Sequence, residues 1–197
     1  MTYEIIIPLL IFLAPLAYSP GPGNMFFATL GAAGGLRGAV PALTGYHVAT
    51  LLVTMAVGLG FGWVQAMGPG LARAMQWAGA AYVIWLAWQI AQAGPMTDGQ
   101  ATSGAAGFRA GAVLLLLNPK AWLILSLLFS QFPVATLGQA ALVTLIFTMN
   151  NLVAFVLWTI AGDALASVFR SQAGARRLNI VFAMALAGVA IWMFLAG

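Results

Sequence analysis

Lys120 and His47 are the two side chains best suited to hold a charge or move a proton, and both stand inside long apolar runs. Lys120 ends the segment Leu117-Asn118-Pro119-Lys120, after an uncharged stretch over residues 110–117. A charge in the middle of a membrane segment costs roughly 2.5–3.5 kcal/mol on insertion scales, so it needs a partner or water. The bland reading is a snorkelling side chain, which requires a helix that begins well after Arg109. His47, the only histidine, lies in Gly45-Tyr46-His47. A hydrogen-bonded packing histidine is the commoner use of such a residue, and a proton relay is the sharper one. Asn150 and Asn151 interrupt an apolar stretch, where an interhelical hydrogen bond and a substrate contact fit equally well.

Two proline-centred interruptions gather the remaining polar groups. In Tyr18-Ser19-Pro20-Gly21-Pro22-Gly23-Asn24, each proline lacks an N–H and in a helix would orphan the carbonyls of Leu16 and Tyr18. Gly21 and Gly23 ease unwinding, and Pro15 adds another interruption. Pro119 would orphan the carbonyl of Leu115 by the same logic. Free backbone groups inside a bilayer survive only where protein buries them or they line a watery cavity. Pro20, Gly21, Pro22, Asn24, Asn118, Pro119, Lys120, Asn150 and Asn151 are therefore the candidate substrate-binding residues. Lys120 and His47 are the candidate proton carriers. A simple packing kink is the competing account of the prolines, since Pro and Gly are common in membrane helices.

Several chemistries are excluded. One histidine cannot make HExxH, and there is no P-loop, paired carboxylate or plausible Ser-His-Asp set. The chain has no cysteine, which removes disulfides, thiolate nucleophiles and Cys-based metal sites. No cofactor or metal is expected, and no direct ATP drive. A membrane-embedded enzyme and a non-transporting assembly subunit stand as the alternatives to a transporter.

The elements that position these groups follow from composition. Of 197 residues, 63% are hydrophobic and 5% charged, against about 25% charged in soluble domains. Only a bilayer is a fitting solvent for such a chain. The net charge of +4 suits membrane orientation and anionic lipid. No basic cluster alternates with aromatics, so nucleic acid is not an expected partner. The N-terminal segment lacks a positive n-region and reads as a first membrane helix.

Spacing between charges predicts an all-α, polytopic membrane protein with six transmembrane helices near 5–30, 39–64, 71–92, 109–132, 137–165 and 178–196. The chain forms a single domain, with halves at about 1–92 and 109–197 joined by a linker over 93–108. Loops 31–38, 93–108 and 166–177 share one side, with Arg37, Arg109, Arg170, Arg176 and Arg177 against Arg73 alone on the other. This bias places both termini outside the cytoplasm. The breaks fall in helices 1 and 4, the first of each three-helix half, and three helices per half make the halves inverted. Paired interruptions in inverted halves point to a transporter site near the midplane. Gly31/Gly35, Gly34/Gly38, Gly58/Gly62 and Gly107/Gly111 have GxxxG spacing, which marks close helix packing and leaves a homodimer open. Tyr82, Trp85 and Trp88 read as interfacial or packing residues.

With these residues in view, the chain resembles the LysE/RhtB amino-acid exporters. Pro20-Gly21-Pro22, Asn24 and the ladder Gly31, Gly34, Gly38 and Gly45 look like that family's N-terminal signature, and Asn118-Pro119-Lys120 like its second motif. Residues 77–88 (Trp-Ala-Gly-Ala-Ala-Tyr-Val-Ile-Trp-Leu-Ala-Trp) and 177–181 (Arg-Leu-Asn-Ile-Val) look like the cysteine/O-acetylserine branch. The resemblance covers essentially the whole chain. It implies an inner-membrane secondary transporter that exports small neutral amino acids, driven by the proton gradient. A midplane with Lys120 and no carboxylate agrees, since it would repel a basic substrate and attract a zwitterion's carboxylate.

Overall fold

The computed structural model describes residues 2–60, 68–92, 107–168 and 172–195, and among these it contains seven helices and no strand. They are α1 (Thr2–Tyr18), α2 (Pro22–Leu59), α3 (Gly68–Gln92), α4 (Phe108–Leu116), α5 (Pro119–Gln131), α6 (Leu137–Val168) and α7 (Gln172–Leu195). Two of them, α2 and α6, are long and apolar enough to cross a membrane on their own. The α4–α5 pair, bent by 59°, makes a third candidate span, and the apolar stretch Ile5–Tyr18 is shorter. Ile7, Ile11, Leu52, Leu137 and Met184 are each more than half exposed. So much outward-facing aliphatic surface fits a lipid environment and not water.

Both proline-centred breaks occur where the missing N–H groups demand them. α1 stops at Tyr18 and α2 restarts at Pro22; α4 stops at Leu116 and α5 restarts at Pro119. Each restart puts proline at the first helical position, where its lack of an N–H costs nothing and its fixed φ suits the helix.

Three expectations change. The loop over 31–38 is helical apart from Gly35, whose φ of 62° and ψ of −170° break α2 into two helices. That left-handed φ is open to glycine and strained for other residues. The interruption at Asn150-Asn151 does not occur, because α6 runs through both residues. The loop over 166–177 is largely helical, since α6 continues to Val168 and α7 begins at Gln172. Charges mark where side chains stop being apolar, and a helix backbone has no reason to end there. Residues 93–106, which hold most of the linker, lie outside the described residues, as does Gly62.

α2 packs most extensively on α6 and α4, and α3 on α7. Two apolar cores result. One joins Phe26, Phe27, Leu43, Tyr46, Leu86, Leu114, Phe155 and Leu186. The other joins Leu9, Leu13, Val57, Leu128, Phe129, Val143 and Phe147. The two helix breaks meet between them.

Candidate functional site

α1 ends with carbonyls that its own helix cannot satisfy, and four side chains supply the donors. Ser19 Oγ donates to Leu16 O at 3.2 Å. Asn24 Nδ2 donates to Ala17 O at 3.0 Å, and Trp158 Nε1 to Tyr18 O at 3.2 Å. Lys120 Nζ donates to Ser19 O at 2.5 Å. The carbonyls expected to be orphaned at Leu16 and Tyr18 are therefore occupied. The same holds at the second break, where Leu115 O accepts from Asn118 N–H at 3.1 Å and Leu116 O from Trp122 Nε1 at 2.8 Å.

The Lys120 ammonium bridges the two breaks. Besides Ser19 O it reaches Ser19 Oγ at 3.1 Å and Asn24 Oδ1 at 3.4 Å. Its partners are backbone, hydroxyl and amide oxygens, and its position at the C-terminal end of α1 suits a cation. Asp163, the nearest acidic residue in chain order, sits beside the Gly35 break instead. Close approach of Lys120 depends on Gly21: a methyl added there would lie 2.8 Å from Lys120 Cδ.

Asn118 caps α5, accepting from Lys120 N–H at 3.1 Å, and its Nδ2 donates to the Tyr46 hydroxyl at 3.3 Å. Asn151 reaches the same hydroxyl from α6. Asn150 faces elsewhere, accepting from Tyr18 OH at 3.5 Å. Asn24, Asn118, Lys120, Tyr46, Asn151 and Phe155, with apolar neighbours, line one cavity of about 20 Å³, room for about a single water. Pro20, Gly21, Pro22 and Pro119 shape the breaks around it without lining it. His47 is buried beside this group, with Nδ1 donating to Leu43 O at 2.7 Å and its ring 5.7 Å from that of Phe155. Its other side faces the Asn151 backbone.

Sequence reading missed Tyr46, Ser19, Phe155 and Trp158. Tyr46 had a signal, as a phenol next to the only histidine in a run that has to be buried. Trp158 and Phe155 had none, because aromatic residues are common in such helices.

Helices with outward-facing aliphatic surface, and a polar centre where two broken helices meet, define a membrane transporter of the broken-helix kind. The chain belongs to the LysE type translocator family, whose description matches residues 14–197. It is a multi-pass inner-membrane transporter and not an enzyme. It is 31% identical over 186 residues to the cysteine/O-acetylserine efflux protein of Salmonella choleraesuis (strain SC-B67), spanning 90% of this chain and 91% of that protein. The protein of the same description in Escherichia coli O1:K1 / APEC is also 31% identical, with the same coverage. No solved structure matches the chain.

Proposed function

We propose that the chain exports small neutral amino acids or derivatives, of the cysteine, O-acetylserine, homoserine and threonine kind, by proton-coupled alternating access. The observation that carries this reading is the electropositive character of the central cavity. The N-termini of α2 and α5 and the Lys120 ammonium converge there, and no carboxylate is among the lining residues. The α2 N-terminus has no side-chain cap, so its first-turn N–H groups are available to a ligand. Such a centre holds the carboxylate of a zwitterion and disfavours a cationic side chain. Asn24, Asn118, Asn151 and the Tyr46 hydroxyl supply neutral polar contacts. Efflux and substrate class follow the names of the relatives.

The same reading takes six spans: α1 with α2 up to Gly35, the rest of α2, α3, α4 with α5, α6, and α7. Packing supports two inverted halves, at about 1–92 and 109–197. Gly31 in the first span meets Thr159 in the fifth, Gly45 in the second meets Phe108 in the fourth, and the third packs on the sixth. That is the exchange of partners an inverted repeat requires. Both termini lie outside the cytoplasm. Lys120, with His47 as the second candidate, carries the coupling proton.

Counterflow in proteoliposomes, with labelled neutral and basic amino acids, tests this. Wild type is expected to exchange a neutral amino acid saturably. Removing one partner of a desolvated charge pair costs about 2–5 kcal/mol, so Lys120→Met is expected to lose at least roughly 30-fold in apparent affinity. Exchange that survives Lys120→Met keeps the exporter and makes Lys120 a structural clamp on α1. No exchange of any amino acid overturns the substrate class.

A further inference from the structure

A row of polar side chains runs away from the central cavity between α2 and α6, and three of its hydroxyls are unpartnered. His47, Thr50 and Thr54 recur on one face of α2, and Thr144, Thr148 and Asn151 on one face of α6. These antiparallel stretches are packed together near the centre and share an apolar cluster further out. The rings of Tyr46 and Phe155 lie 4.8 Å apart near the centre, and Val57 shares an apolar cluster with Val143 further out. That packing brings the polar face of His47, Thr50 and Thr54 within about one helical turn of the polar face of Thr144, Thr148 and Asn151.

All six residues are buried, with Thr50, Thr54 and Thr148 at 0% exposure. A helical threonine normally bonds back to a carbonyl one turn earlier, as Thr50 does to Tyr46 O at 2.8 Å and Thr159 to Phe155 O at 2.7 Å. The hydroxyls of Thr54, Thr144 and Thr148 have no partner among the described residues, and His47 faces the Asn151 backbone. Three buried hydroxyls left unsatisfied in one seam are unusual and call for an explanation. A second cavity lies next to this stretch of α6. About 190 Å³ in volume, it is lined by Gln131, Phe132, Gln139, Leu142 and Val143, among others, near the start of α6. Thr144 falls on α6 between Val143, which lines this cavity, and Phe147, which lines the central one, and Thr148 falls between Phe147 and Asn151 of the central one.

We propose that this seam is the wetted wall of the translocation pathway. It is closed in the conformation described here and opens, toward the face carrying Leu59 and Leu137, to water and to a small zwitterionic solute. The proposal rests on the alternating-access reading above. Groups that lack partners when the seam is shut gain them when it opens, so each hydroxyl shifts the closed–open balance by roughly tenfold. The apolar cluster of Leu9, Leu13, Leu128, Phe129 and Phe147 then forms the dry plug beside it.

The absence of native cysteine gives the test a clean background. Thr54→Cys, Thr144→Cys and Thr148→Cys are made singly, reconstituted, and treated with a membrane-impermeant cationic thiosulfonate, with and without threonine. Leu186→Cys in the dry core and lipid-facing Leu52→Cys are the controls. Labelling of the three seam positions, faster than both controls by at least roughly tenfold and altered by threonine, is the expected result. Seam positions as inert as Leu186→Cys overturn the proposal. Thr144→Val and Thr148→Val provide a second readout that does not depend on labelling. They remove the orphaned hydroxyls, so they are expected to raise the melting temperature and slow counterflow, and no change in either overturns the proposal. Intact counterflow with an inert seam removes only the seam. A labelled seam without any amino-acid exchange removes only the substrate class.

Discussion

Where α2 crosses α6, glycine on both helices lets the backbones touch. A methyl added at Gly31 would lie 2.7 Å from the carbonyl carbon of Thr159 and 2.9 Å from its Cα; one added at Gly162 would meet Ala28 at the same distances. Carbon atoms pack best at about 3.5–4.0 Å, and the carbonyl oxygens of Thr159 and Ala28 lie nearer still, so Gly31→Ala or Gly162→Ala must push the helices apart by more than about 1 Å. Overpacking costs about 1–3 kcal/mol. The obstacle here is backbone that cannot rotate away, which puts each substitution near 3 kcal/mol, the upper end of that range. In a bilayer no hydrophobic gain offsets the lost contact. Both glycines act at one crossing, so the separation forced by the first makes room for the second. The double variant is therefore expected to cost about 3–4 kcal/mol and not about 6, a coupling of about 2–3 kcal/mol. Gly38→Ala and Gly188→Ala are the controls. A methyl at either meets nothing within 4 Å, and alanine's helix propensity makes each neutral or stabilising by up to about 1 kcal/mol. Reversible denaturation by SDS in mixed micelles reads all five variants against wild type. Strict additivity at the crossing, or single variants as mild as Gly38→Ala, would refute the reasoning.

Two further outcomes separate stability and topology from transport. Gly21→Ala pushes against the flexible Lys120 chain and not against backbone, so it is expected to cost less than about 1 kcal/mol in SDS denaturation while sharply reducing counterflow; unchanged counterflow would mean that the Lys120–Ser19 contact is not needed for transport. A reporter fused after Gly197 tests orientation: alkaline phosphatase is expected to be active and a green fluorescent protein dark, and the opposite pattern would reverse the assignment of sides made from the arginines.

The helix breaks were legible in the sequence because proline's missing N–H is a local property. Pro22 and Pro119 start their helices just where that deficit is harmless. The cost of Lys120 in an apolar run was legible for a similar reason, since a charge among uncharged residues is visible without a fold. Helix ends read from charge were less secure. Arg37 marks no loop, because the backbone departs from the helix only at Gly35, and Asn150-Asn151 break nothing. An asparagine sits in a helix once its side chain has a partner elsewhere, as Asn151 has in the Tyr46 hydroxyl.

Composition and local chemistry by themselves determined that this chain lives in a bilayer, where its helices must break, and which few polar groups need company. Tertiary structure alone decided what company they keep. Lys120 takes its acceptors from Ser19 and Asn24, about a hundred residues away in the chain, and the carbonyl of Tyr18 takes its donor from Trp158. The alignment of the buried threonines across α2 and α6 depends on how those two helices pack, with Tyr46 against Phe155 near the centre. No local pattern encodes that arrangement, because it is a relation between distant segments that exists only once both are packed.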